Sequence, residues 1–543
     1  MSQQLTSTNF YSSKFVERAI SWVRTTGLVS DDANAGPATA AASVSAIVLL
    51  TTVIWKFSLS TNNNDEMVPY VGIPSPKGDV PYVGHLFAIG PDLIKRSHEW
   101  HQELGPIFYM KMGVRPFLII SDPNIAHELL VSNGRFTSSR PHDNISEDFF
   151  GHDARGLISS PPDKRWKSLR KIVIMALGPK RLREAALELN HEAKEFVDTV
   201  ATGENINPLI HLMRASVNFI FLTTFSFRTT SIEDPIFKEG YNIVNSIMSF
   251  TGFKHSIPNF LPLLRFTRHF TNASQEIGNQ LINHVAPYFS KLIDEALKAD
   301  GDNMAKLLNN EINGGRNGEY TQLYITMVDL LIAGSDTSAV TLDWSFLILS
   351  TKPDVQKKIQ QEIDAFVEKN GRLPEMWERD SVPYLTAVQK ECMRIRPTTP
   401  FGVPHESNED FVWRGIFIPK GTNLLSNMNE MHHNPDVYPD PNEFKPERFL
   451  DRNEPMTAST NRSANERDHF NFGWGRRACP GAHLAETQMF NVWVHTLHRC
   501  NIVPALDENG NEVPETLETV PPVNGPIVTP PSPFEIRFVP RNK

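Results

Sequence analysis

Cysteine is scarce: the 543 residues hold three, Cys392, Cys479 and Cys500, and no two form a C-x-x-C pair. That excludes a disulfide framework and a thiolate zinc site, and it points to a reducing compartment. Excess positive charge is lacking too. With 53 Lys plus Arg against 62 Asp plus Glu the formal charge is −9, which disfavours a general nucleic-acid binder. No Pro/Gly/Ser-rich linker interrupts the middle of the chain. A prior of about 150 residues per domain would allow three or four domains. The polar stretches Asn309–Gly318 and Asp451–Asp468, however, are short enough to be surface loops of one large domain. A Gly-x-Gly-x-x-Gly fingerprint is missing as well, and with it any sign of a built-in flavin or nicotinamide domain.

Lone cysteines are ordinarily buried as small hydrophobes, and Cys392 and Cys500, which carry no motif, read that way. Cys479 stands in a different setting, the run Phe472-Gly-Trp-Gly-Arg-Arg-Ala-Cys479-Pro-Gly481. A thiolate that is to hold haem iron must be deprotonated, shielded from water and oxidant, and given hydrogen-bond donors that tune its electron release. Gly475 and Gly481 free the backbone to turn around the sulfur, Phe472 can cover it, and Arg477 can reach a haem propionate. The spacing Phe-x-x-Gly-x-Arg-x-Cys-x-Gly resembles the cysteine-ligand loop of the cytochrome P450 family, the haem-thiolate monooxygenases. This resemblance implies haem b with Cys479 as its axial iron ligand. It also implies a mainly α fold with a smaller β portion, one large catalytic domain over residues 82–543.

Tyr320–Thr351 reads as one long helix, apolar nearly all round, and such a helix belongs in the interior. Asp329, Asp336 and Asp343 recur along it every seven residues and so share about one face, where a carboxylate without a partner costs several kcal/mol. An Asp-Thr pair in a helix is ordinarily a back-bonded hydroxyl or a local ion pair. Ala333-Gly-Ser-Asp336-Thr337-Ser338, however, resembles the family's oxygen-activating stretch. That implies Asp336 and Thr337 as an acid–alcohol pair relaying protons to dioxygen, with small residues leaving room for it. Gly334 would let the helix widen locally. Asp343 and Asp329 read as structural, with Asp329 open to a substrate contact.

Further matches cluster downstream and upstream. Glu391 and Arg394 resemble the family's Glu-x-x-Arg helix, and Arg448 in Phe444-Lys-Pro-Glu-Arg448-Phe449 resembles the arginine that completes its buried network, a structural role. Trp166 and Arg170 are four apart on one helix face and resemble the Trp-x-x-x-Arg pattern that meets one haem propionate. His405 falls in a loop where a basic residue often meets the other propionate, and a satisfied loop histidine reads nearly as well.

Ten phenylalanines from Phe219 to Phe270 read mostly as core. The resemblance places this region over the haem, together with Thr398–Val403 and Ile527–Ser532. The implied substrate is an apolar small molecule such as a steroid, terpenoid, polyketide or xenobiotic. Between Lys164 and Arg183 stand eight basic residues and no acidic one. Charge runs of this kind are usually solvated helix faces, and they also suit docking of an acidic redox partner. The implied partner is a membrane-bound NADPH–cytochrome P450 reductase, with cytochrome b5 as a further donor. A haem-thiolate lyase or isomerase needing no reductase, and a non-catalytic haem carrier or sensor, are the rival readings. The Asp336–Thr337 pair weighs against the lyase.

Ala38–Trp55 is 18 residues without a charge, about 27 Å as a helix, enough to cross a membrane. The expected order is an N-terminal extension over 1–37, a transmembrane helix over 38–57, a polar linker and proline-rich hinge over 58–81, then the catalytic domain. Phe15, Ala19, Trp22 and Val23, with Lys14, Arg18 and Arg24, suggest an amphipathic helix ahead of the anchor. That leaves room for a mitochondrial address, against which Glu17, Asp31, Asp32 and the apolar run count. The resemblance implies a single-pass protein of the endoplasmic reticulum membrane with a cytosolic body.

Overall fold

The computed structural model describes residues 67–542, apart from 142–155, 251–252, 265–272, 313–318, 453, 461 and 526. The N-terminal extension and the anchor over 38–57 lie outside the described residues. Helices dominate what is described, with short strands in three small sheets.

The long apolar segment forms one uninterrupted helix, Glu319–Ser350. It is long and apolar enough to cross a membrane, but most of it is buried within the protein, as a helix without a polar face must be. Helix Leu209–Phe225 packs along it. At Gly334 the two helices are in tight contact. A Cβ there would lie 2.1 Å from Ile220 Cδ1, so the glycine serves close helix packing, and the helix continues as α through it without the expected widening. Phe219, Phe221, Phe225 and Phe237 are all in the core, as their density suggested.

Asp163 caps the helix Lys164–Ala176 by accepting from Trp166 N at 2.7 Å. Trp166, Leu169, Val173 and Ala176 recur at helical spacing and form its buried face, which leaves Lys164, Lys167 and Lys171 outward. The principal sheet runs Ile107–Met112, Arg115–Ile120, Asn423–Ser426, His405–Glu406. Its first pair is an antiparallel hairpin, Ile107 opposite Ile120; Arg115–Ile120 then runs parallel to Asn423–Ser426, Phe117 opposite Asn423. The proline-rich stretch is not a free lead into the body. Pro74 O accepts from Tyr109 N at 2.8 Å, Pro76 O meets His85 Nε2 at 3.0 Å, and Tyr70 stacks on Tyr109 at 4.2 Å. The packed body therefore begins by Tyr70.

Charge burial organises the far side. Glu391 and Arg394, three apart on helix Pro383–Ile395, are fully buried, with Arg394 Nε donating to Glu391 at 2.7 Å and Nη2 at 2.9 Å. The remaining Arg394 donors go to the carbonyls of His432, Pro441 and Glu443, and Arg448 Nε reaches Glu391 at 3.2 Å. Removing one partner of such a pair strands the other in the interior. Glu391→Ala should therefore destabilise the protein by about 3–5 kcal/mol, read by denaturant unfolding. Arg448→Ala, whose contact is longer and nearer the surface, should do less. Equal stability of Glu391→Ala and wild type would show that the network is dispensable.

Candidate active site

The cysteine loop is built from tight turns. Gly473 and Gly475 hold φ of +74° and +52°, and a Cβ on Gly475 would stand 2.6 Å from Leu130 O. Only glycine meets both demands at 475. Gly481 acts otherwise: its φ is −94°, it precedes helix Ala482–Arg499, and its N–H hydrogen-bonds the Cys479 thiol. Cys479 N donates to Phe472 O at 2.8 Å, closing the loop on itself. The Cys479 side chain has free surface, yet it is wholly enclosed by protein, because that surface faces an internal cavity. Burial pushes the thiol up, with the Gly481 N–H and the Arg170 charge opposing.

That cavity, of about 320 Å³, lies between the loop and the central helix. Ile220, Met248, Leu330, Ile332 and Val403 make its walls largely apolar. Among the described residues of the region rich in phenylalanine, Ile220 and Met248 reach it. Thr398, Thr399, Gly402 and Val403 line it from one side and Ile527 and Val528 from another, the segments the resemblance implied.

Four cationic or imidazole-bearing side chains line the same space: Arg140, Arg170, His405 and Arg477. Arg477 donates to Ser138 O at 2.8 Å, Leu157 O at 3.2 Å and Ser160 O, so it clamps the chain over 138–160. Arg140 donates to Ile158 O, Val403 O and Pro404 O, and Arg170 to Ala478 O. His405 Nδ1 meets Thr137 O at 2.9 Å. Among the described residues none of the three arginines forms an ion pair with a carboxylate. Burial and mutual repulsion hold Arg140 well below its usual range and bring Arg477 down to about 10. Burial and the fields of Arg140 and Arg477 keep His405 neutral.

Trp166 lies one layer out from the cavity. Its indole N–H donates to Leu157 O at 3.0 Å, while Arg477 and Arg170 lie over its ring at 4.3 and 5.3 Å. It is a platform for two arginines rather than a cavity-lining donor. Arg140 is the member sequence reasoning missed. A lone arginine before proline carries no spacing signal, and only the fold brings it beside Arg477.

The donor set fits a haem. A coordinated thiol is deprotonated outright, which answers the unfavourable burial of a free Cys479 thiolate. Two propionates would give the arginine ring the negative charge that the described residues do not supply.

Opposite the sulfur, Asp336 and Thr337 face the cavity from the central helix. Thr337 Oγ1 donates back to Ala333 O at 2.7 Å, the ordinary habit of a helical threonine. Asp336 has no hydrogen-bond or ion-pair partner among the described residues, and desolvation raises its carboxyl to about 6. Asp329, also raised to about 6 by burial, accepts from Leu157 N at 2.5 Å and Ile158 N at 3.0 Å, so it ties the chain over 157–158 to the central helix. Asp343 is buried one heptad further on, with burial raising it well above the usual carboxylate range.

The family model for cytochrome P450 matches residues 74–538, and the chain belongs to that family. It is similar to cytochrome P450 monooxygenase 79 of Postia placenta, 26% identical over 92% of this chain and 93% of that protein. Similar too are cytochrome P450 monooxygenase fogE of Aspergillus ruber, 29% identical over 93% and 92%, and cytochrome P450 monooxygenase COX2 of Coprinopsis cinerea, 29% over 86% and 89%. Membership carries haem with cysteine-thiolate iron ligation, monooxygenase chemistry, a small-molecule substrate and a redox partner.

Folding raises the Asp336 carboxyl from 3.8 to about 6, so the folded state binds more protons in that interval and stability falls as pH rises through it. Asp336→Asn removes the penalty. It should stabilise the protein by roughly 1–3 kcal/mol near pH 7.5 and by nothing below about pH 4, compared as paired thermal melts. A pH-independent difference would mean that Asp336 is solvated in the folded state.

Proposed function

We propose that this monooxygenase inserts one oxygen atom from dioxygen into an apolar small molecule of steroid, terpenoid, polyketide or xenobiotic type. Electrons come from an NADPH–cytochrome P450 reductase, with cytochrome b5 as a further donor. One observation carries the reading: an enclosed thiol, three arginines and a carboxyl beside a threonine, these charged groups without an ion-pair partner among the described residues, all face one largely apolar cavity.

When bound, haem supplies dioxygen binding and reductive activation at an iron held by the Cys479 thiolate. The chain's residues do the rest. Arg140, Arg170 and Arg477 would hold the propionates by charge-assisted hydrogen bonds, with neutral His405 beside them and Trp166 backing two of the guanidiniums. Phe472 and Gly475 shape the loop that keeps water from the sulfur. The apolar walls exclude bulk water and hold the substrate in register. Asp336, with a pKa of about 6, can both take and give a proton near neutral pH, and Thr337 Oγ1, once it leaves Ala333 O, can pass it on.

Lys164, Lys167, Lys171 and Lys180 are exposed, and none forms an ion pair among the described residues, which supports this face as the dock for an acidic reductase surface. We place the anchor at 38–57 and the protein in the endoplasmic reticulum membrane, crossing once, with its body in the cytosol. The Asp336–Thr337 pair and the monooxygenase names of the relatives speak against a lyase or a carrier.

The carbon monoxide difference spectrum of the reduced protein is the deciding measurement. Wild type should show the far-red-shifted Soret band of a thiolate-ligated haem and Cys479→Ser should lose it; identical spectra would remove Cys479 from the iron. Thr337→Ala should keep that band yet lower product formed per NADPH consumed by about tenfold. Full coupling in that variant would take Thr337 out of proton delivery.

A further inference from the structure

A second pocket, of about 340 Å³, lies behind one wall of the central cavity. Pro397, Pro400 and Thr529 face it, while their chain neighbours Thr398, Thr399 and Val528 face the central cavity. Two hydrogen bonds pin this shared wall to the central helix. Thr341 Oγ1 and Thr398 Oγ1 meet at 2.6 Å, and Trp344 Nε1 donates to Thr529 O at 2.9 Å.

Trp344, 2% exposed, and Arg396 both line the outer pocket, with the guanidinium carbon 5.6 Å from the indole centroid. Arg396 Nε is buried with no hydrogen-bond partner. Its other nitrogens make only long contacts, to Ile395 O at 3.2 Å and Leu517 O at 3.4 Å. Burial pulls the guanidinium below its usual range; the field of Glu518 opposes this, but no carboxylate pairs with Arg396 among the described residues. Lys95, on the same pocket, likewise has no ion pair there. The pocket's acids are engaged already. Asp92 caps the helix Leu93–Leu104 by accepting from Lys95 N at 3.0 Å, and Glu430 meets His98 Nδ1 at 2.9 Å. What remains unsatisfied in this space is positive charge beside a flat apolar surface, and a buried arginine N–H without an acceptor is the group an anion would satisfy.

We propose that this outer pocket binds a small organic anion, its carboxylate or sulfonate received by Arg396 and its flat apolar body lying against Trp344 and the prolines. The site is separate from the space over Cys479 and touches it only through the shared wall, so central cavity and outer pocket can be filled independently.

The test uses anilinonaphthalenesulfonate, an anion on a flat apolar body, titrated by fluorescence into haem-loaded protein. A phenylimidazole fills the central cavity beforehand, its occupancy read from the Soret shift. The probe should bind with a Kd that rises about tenfold in Arg396→Met. A similar loss is expected in Asn524→Trp, which blocks the pocket from an exposed position, and none in Lys357→Met, an exposed lysine outside it. Unchanged affinity in a folded Arg396→Met protein overturns the proposal. Should that variant not fold, unchanged affinity in Asn524→Trp overturns it equally.

Discussion

Arg394 carries its charge at zero solvent exposure, and the groups that satisfy it hold together the half of the protein that presents Cys479. A guanidinium has five donors in a fixed plane, so satisfying it in the interior demands acceptors from several directions at once. Here they come from Glu391 on the same helix and from the backbone at 432, 441 and 443. One side chain thus ties its helix to the end of helix Met428–His432 and to the irregular chain over 441–443. Next to it, Lys390 is bound to Asp468 and to the carbonyls of Arg452 and Glu454, which fixes the segment leading into the cysteine loop. Loops cannot hold a reactive geometry by themselves, and these buried charges lend them the rigidity of the helices.

The same physics runs in reverse on the cavity side. Arg140, Arg170 and Arg477 are enclosed with carbonyl partners and no acid among the described residues, and they repel one another. Asp336 is enclosed without a base. Left to itself such an arrangement is unfavourable, and stability arguments do not account for it. It is the signature of a site prepared for an anionic, metal-bearing ligand on one side and for proton movement on the other. Asp329 marks the boundary between the two regimes: it is a buried acid on the cavity wall that holds the 157–158 backbone to the central helix.

Much of this was legible in the chain because the chemistry sits in short, contiguous runs. A thiolate loop needs glycines and a cation at set offsets from the cysteine, and Gly475 and Arg477 stand there. The central helix was readable from apolarity alone, and the Glu391–Arg394 pair from its resemblance to the family's Glu-x-x-Arg helix. What was not legible depended on contacts between distant segments. Gly334 looked like a point of helix flexibility and turned out to be a place where Ile220 presses against the helix with no room for a side chain. Trp166 and Arg170 looked like twin ligands for a propionate, whereas in the fold Arg170 lines the cavity and Trp166 stands behind it. The prolines before residue 82 suggested a hinge, yet hydrogen bonds from Tyr109 and His85 make that stretch part of the body.

The sequence by itself determined the class of chemistry, because metal ligation and proton relay require particular side chains at particular local spacings and those spacings are covalent. It narrowed the place of the long central helix too, since an all-round apolar segment must be shielded from water, by the protein interior or by a membrane. Only the tertiary structure decided which charges would be left without partners. Arg140 and Arg477 are 337 positions apart in the numbering and Arg396 and Lys95 are 301 apart, so whether such groups meet an acid, a carbonyl or nothing is settled by how the whole chain packs, and no local pattern encodes it.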